Sequence, residues 1–228
     1  MRAGLTLREL DRNQFLANLD ACARVYAAAM NPPREQLPGR YTIMERHSGY
    51  AAFRAIAAIM LRDDGETGGT VPVGGETGGT VPDGEAAQSA RPLLVGFAYG
   101  FHGSGGQWWH DLVRRAAAST LGPRTANDWF GDSLEIAEVH VLPGHQGQGT
   151  GLAMMLRLTA DRPERAAVLS TMDANTRARR LYHGLGFTDL MTGFEFPGTD
   201  LPYAIMGAPL PLPGTSPGTA RPDKPSRW

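Results

Sequence analysis

Little in this chain could staple it, anchor it or draw it to a polyanion. It has one cysteine, Cys22, which excludes an internal disulfide and fits a reducing compartment. Its one lysine, Lys224, stands near the C-terminal end. No apolar run approaches the ~20 residues needed to span a bilayer, and the N-terminus lacks the basic-then-apolar pattern of a secretory signal. Lys and Arg total 22 against 23 Asp and Glu, a formal net charge of −1, so no basic field argues for nucleic acid. These absences predict a cytoplasmic protein with neither nucleic acid nor membrane as a partner. His102 and His110 have no third ligand at a metal-site spacing, so no metal is expected.

The 228 residues are 42% hydrophobic, enough to pack one domain of ordinary size. A short strand is expected over residues 4–7. Phe15, Leu19, Cys22, Tyr26 and Met30 recur at helical spacing, predicting one helix over residues 10–30 that stops at Asn31-Pro32-Pro33. A second helix is expected over residues 37–48, then strands over 53–61 and 93–101. Between those strands Gly65-Glu66-Thr67-Gly68-Gly69-Thr70-Val71-Pro72 recurs ten residues later, at 75–82. Such Gly- and Thr-rich chain buries no core, and two copies fall short of the ~3 a solenoid needs, so residues 64–90 read as a flexible hairpin loop. Residues 107–118 look helical, residues 121–132 irregular, and residues 134–141, 166–172, 187–196 and 203–208 strand-like. From 209 to 228 the composition predicts a disordered Pro-rich tail.

The remaining stretch, residues 139–152, organises the rest: Val-His-Val-Leu-Pro-Gly-His-Gln-Gly-Gln-Gly-Thr-Gly-Leu. It ends a strand, breaks at Pro143-Gly144 and is expected to open a helix whose first turn holds Gly147, Gly149 and Gly151. Glycines this dense leave backbone N–H groups uncovered, and a helix start favours anions, so a phosphorylated ligand is implied. A P-loop requires a lysine that is absent here. A dinucleotide loop requires its third glycine three residues beyond the second, where this chain has Leu152; Gly151 falls one residue too early. The pattern Gln146-Gly147-Gln148-Gly149-Thr150-Gly151 instead resembles the acetyl-CoA loop of the GNAT superfamily of N-acetyltransferases, whose signature is Gln or Arg, two residues, Gly, one residue, then Gly or Ala. Asn175, Leu181-Tyr182 and Gly186-Phe187 are similar to the family's second motif.

The resemblance covers residues 5–208 and implies an α/β (α+β) GNAT fold. Its mixed central sheet would have about six to seven strands flanked by about four helices, with a helical or irregular insertion before the signature strand. It implies acetyl-CoA as cosubstrate and transfer by direct attack of an amine within a ternary complex. Val139, His140 and Val141 would bind the pantetheine along a strand splayed from its neighbour. Gln146, Gly147, Gln148, Gly149, Thr150, Gly151 and Leu152 would hold the pyrophosphate. Asn175, as the cap of the next helix, would contact the cofactor. Tyr182, two turns further on that helix, resembles the general acid for the departing thiolate, and that role is preferred to the alternative of an inward-facing core tyrosine. Glu138 is the candidate base and His140, on the same face, could replace it, whereas Glu135 is expected on the opposite face. Some relatives place a base where this chain has Ser170.

The acceptor would be an amine on a small molecule or a protein. Tyr41, His47, Phe101, His102, Trp108, Trp109, His110, Trp129 and Phe194 fall in the regions the family uses for it; they could line a pocket or cap the sheet. A second copy of the chain is a candidate partner. A non-catalytic acyl-CoA-binding module and a scaffold protein are the competing readings.

Overall fold

Runs of Ala, Ile, Val and Leu between polar turns make seven strands, and these form one sheet in the order β1-β2-β3-β4-β5-β7-β6. The computed structural model describes residues 4–62 and 91–215. The strands are β1 (Leu5–Leu10), β2 (Arg54–Arg62), β3 (Arg91–His102), β4 (Ser133–Val141), β5 (Ala166–Met172), β6 (Thr188–Glu195) and β7 (Pro202–Pro209). All neighbours are antiparallel except β4 and β5. The Gly/Thr repeat and residues 216–228 lie outside the described residues. Residues 209–215, at the start of the expected tail, still pack, with Leu212 buried in the core.

Among the described residues, seven α-helices flank the sheet: α1 (Arg12–Ala17), α2 (Leu19–Met30), α3 (Leu37–His47), α4 (Trp108–Leu121), α5 (Pro123–Phe130), α6 (Thr150–Thr159) and α7 (Arg177–Gly184). Three stretches differ from the sequence reading. The single helix expected over 10–30 is two, because Asn18 leaves helical geometry at φ −107° and turns its side-chain amide back onto the Gln14 carbonyl. Asp11 starts the first with a capping box shared with Gln14, and Asn31 ends the second in the left-handed conformation. Residues 121–132, read as irregular, contain α5: Gly122 ends α4, Pro123 opens the next helix, and Ala126 and Phe130 share its buried stripe. Gly147 and Gly149 precede α6 rather than forming its first turn, which begins at Thr150.

α1, α2 and α3 cover one face of β1–β4; there Tyr99 packs on Phe15 and His47. α4 and α5 continue that layer over β5 and β7, where Val113, Ala117, Ala126 and Phe130 bury Val168 and Ile205. α6 lies on the other face, close enough that a Cβ on Gly96 of β3 would meet the Met154 methyl at 3.2 Å. Arg162, half-buried, clamps Glu164 through two nitrogens at 2.6 and 3.0 Å and reaches the Ala52 carbonyl, fixing the turn that delivers β5. Among the described residues no helix is long and apolar enough to cross a membrane.

Candidate active site

The site begins with a fault in the sheet. β4 pairs β5 only through Ser133, Leu134 and Glu135, whereas β3 stays on β4 out to Val141. Beyond Glu135 the two strands diverge, leaving one edge of residues 136–141 without a β5 partner. On the β3 side Tyr99 faces Glu138 while Gly100 faces Ile136, so Ala137 is an extra, bulged residue. The bulge overturns one expectation. Glu135 and Glu138 do not point to opposite faces: they register against Phe101 and Tyr99, two residues of one face of β3. Val139 and Val141 register against Ala98 and Gly96 and face α6, while Glu138 and His140 face α2 and α3.

At the open end of β4 the chain turns through Pro143–His145 into the glycine loop. Gly147 and Gly149 hold φ of +75° and +83°, a region that L side chains enter only with strain. None of the amides from Gly147 to Leu152 donates to a backbone acceptor among the described residues, whereas Ala153 already bonds the Gly149 carbonyl. Six consecutive amides at a helix N-terminus suit a diphosphate. The side-chain amides of Gln146 and Gln148 donate to the carbonyls of Val141 (3.0 Å) and Gly144 (3.3 Å), and so brace the loop. Thr150 is buried and Leu152 is exposed. Arg177, at the start of α7, lies 3.3 Å from where a Gly147 Cβ would sit, which sets a cation beside the amides. These features fit acetyl-CoA.

α7 packs against this loop, its Leu181 side chain 3.3 Å from where a Gly151 Cβ would sit. Asn175 does not cap it: Thr176 does, accepting the Arg179 amide, and Asn175 lies one residue outside, its Oδ1 held by Arg180 at 2.7 Å. Tyr182 is buried in α7, and its hydroxyl makes no hydrogen bond to a described residue. Burial first, then the charge of Glu138, pushes its phenol well above the usual tyrosine range, so it stays protonated. The structure thus brings Tyr182 and Glu138 within electrostatic reach across the gap between β4 and β5.

Glu138 is buried and engaged at both oxygens. Oε1 accepts from Arg40 of α3 at 2.6 Å, and Oε2 meets Nε2 of His140. Burial alone would raise its carboxyl; His140 and Arg40 outweigh that and hold it below the usual glutamate range. Arg40 also donates to the Tyr26 hydroxyl (3.1 Å) and lies 4.6 Å from that ring's centroid. Behind them His47 shares a 3.1 Å hydrogen bond with Tyr99; burial lowers its imidazole to about 4, so it is neutral at physiological pH. Arg40 and Tyr26 escaped the sequence reading as site residues, because a lone arginine 98 residues from its partner carries no spacing signal.

The remaining candidates separate. Ser170 accepts from the Trp109 indole (3.1 Å), which joins α4 to the diverging part of β5. Trp109 and Trp129 pack as a layer over the sheet, while Trp108 is 59% exposed beside Phe196. His110 pairs with buried Glu135 at 2.6 Å and His102 with Glu164 at 3.4 Å. Among the described residues no three His, Cys, Asp or Glu side chains cluster as a metal site. Tyr41 and Phe194 take no part in the polar cluster.

Similarity to known proteins agrees with this geometry. The acetyltransferase (GNAT) family model matches residues 92–187. The chain is 35% identical over 212 residues to a GCN5-like protein acetyltransferase of Mycobacterium tuberculosis, covering 90% of this chain and 98% of that protein. Among solved structures, NAA60 of Arabidopsis thaliana with a bisubstrate analogue aligns at TM-score 0.52 and 14% identity, over 90% of this chain and 99% of that one. YncA of Salmonella typhimurium, solved with acetyl-CoA, aligns at TM-score 0.50 and 18% identity, over 91% and 95%. Both share its fold. By its match to the family model and its full-length similarity to the mycobacterial enzyme, the chain belongs to the GNAT family of acetyltransferases.

Proposed function

We propose that the protein is an acetyl-CoA-dependent N-acetyltransferase acting on an amino group, with protein amino groups the favoured acceptors. The observation that carries this reading is the opening between β4 and β5, with the glycine amides at its mouth and Glu138, His140 and Tyr182 around it. Bound acetyl-CoA would supply an acetyl group activated as a thioester. The unpaired edge of Val139, His140 and Val141 receives the pantetheine, and a β4 amide directed at the carbonyl stabilises developing negative charge on its oxygen. The amides from Gly147 to Leu152 take the diphosphate, with Gln146 and Gln148 shaping the loop and Asn175 flanking the cofactor. Tyr182 donates the proton to the leaving sulfur. The Glu138–His140 pair removes the proton from the attacking amine. The name of the mycobacterial relative, a protein acetyltransferase, supports the choice of acceptor.

The test is calorimetry with acetyl-CoA, followed by thiol release with a lysine-containing peptide and a panel of small amines. Saturable binding and acceptor-dependent release are expected. Binding without release to any acceptor would move the protein to a non-catalytic acyl-CoA-binding role, and no binding would leave only a scaffold.

A further inference from the structure

Resting on that reading, we propose that the base is Nδ1 of His140, with Glu138 as its orienting carboxylate and Arg40 as the positioning residue that keeps Glu138 from taking the proton itself. Glu138 is poorly placed to act alone. Its two oxygens are committed to Arg40 and His140, and protonating it would break its buried ion pair with Arg40. His140 is placed to act. A neutral imidazole facing a carboxylate through Nε2 must donate there, because two acceptors would repel, and that leaves the lone pair on Nδ1. Nδ1 makes no hydrogen bond to a described residue, and the side chain is 10% exposed.

The ring is held on both sides, edge-on to Tyr26 (5.1 Å, 88°) and tilted against Phe97 (5.4 Å, 46°). Tyr26 therefore touches both His140 and Arg40, and aligns base and clamp from α2. His140 also lies on the part of β4 that has left β5, beside the gap that would hold the thioester. Once charged, the imidazolium rests against Glu138, which stabilises it as a carboxylate behind a histidine does.

The step balances. The amine nitrogen's lone pair forms the bond to the acetyl carbon, and its proton passes to Nδ1. The carbon–sulfur bond breaks with its electron pair on sulfur, which takes the Tyr182 proton. Solvent returns the proton from His140 to Tyr182, leaving an amide and free thiol.

Nitrogen-15 NMR of the full chain labelled at histidine, with acetyl-CoA added, reads the tautomer without turnover. A neutral His140 protonated at Nε2 is expected, and an Nδ1–H form overturns the inference. With the lysine peptide as probe, His140→Ala should lower kcat about 100-fold or more while the KM for acetyl-CoA stays within about twofold, and added 4-methylimidazole should restore part of the rate. Arg40→Met removes a positive charge near the ring, so the acid limb of kcat/KM should move to higher pH, a shift that a purely structural arginine would not produce. An unchanged rate in His140→Ala beside an active wild type defeats this assignment alone. An inactive wild type that binds acetyl-CoA defeats the transfer reading beneath it.

Discussion

Tyr182 shows most clearly what a single residue contributes. Its phenol is buried, raised by burial and by Glu138, and unpartnered among the described residues. A group in that state remains a proton donor throughout the physiological range, which a leaving thiolate requires. Tyr182→Phe should therefore leave acetyl-CoA affinity intact and lower kcat by about 100-fold, the usual size of one acid–base contribution. Calorimetry and thiol release on the same preparation separate the two effects; an unchanged kcat would return Tyr182 to the core. The family resemblance singled out Tyr182, and Glu138 and His140 on the signature strand, and the three side chains do lie in one neighbourhood. The facing of Glu135 was not, because counting alternate residues presumes a regular strand and Ala137 breaks it. Arg40 and Tyr26 join the site only through the docking of α2 and α3, which no local pattern encodes.

At the scale of elements, the strands followed from apolar runs and turn residues, and both ends of β5 match the sequence reading; the order in which they line up in the sheet did not. Helix boundaries were less legible where one side chain decides them: Asn18 splits a continuous apolar stripe, and Thr176, not Asn175, caps α7. Trp129 and Phe130 gave no sign of α5, whose start depends on the Gly122-Pro123 junction. In the proposed function the glycine loop is the element on which binding would depend. Gly149 at +83° has open space where a Cβ would sit, so a side chain there meets conformational strain rather than a clash. Gly149→Val should cost about 1–3 kcal/mol in that backbone conformation. Because the strain falls on the turn that presents the amides, acetyl-CoA affinity should drop at least tenfold. Calorimetry checks this; wild-type affinity in Gly149→Val would mean that the loop's left-handed turn is not what presents the amides.

The whole molecule is two sheet halves joined by three residue pairs, Ser133–Ala166, Leu134–Ala167 and Glu135–Val168. One half carries Glu138, His140 and the strand edge without a β5 partner; the other carries β5, against which α7, with Tyr182, packs. The α4–α5 layer strengthens the second half and reaches the gap through Trp109 and Ser170. A ligand seated between the halves would bridge them and, binding only the folded state, would stabilise the chain by mass action. Amide hydrogen exchange of the full chain, with and without saturating acetyl-CoA, tests this account most directly. Slowed exchange is predicted at residues 136–141 and 147–152, by more than any general slowing that mass-action stabilisation brings to β1 and β2. Saturation that leaves both segments unprotected, or protection confined to other elements, would contradict it.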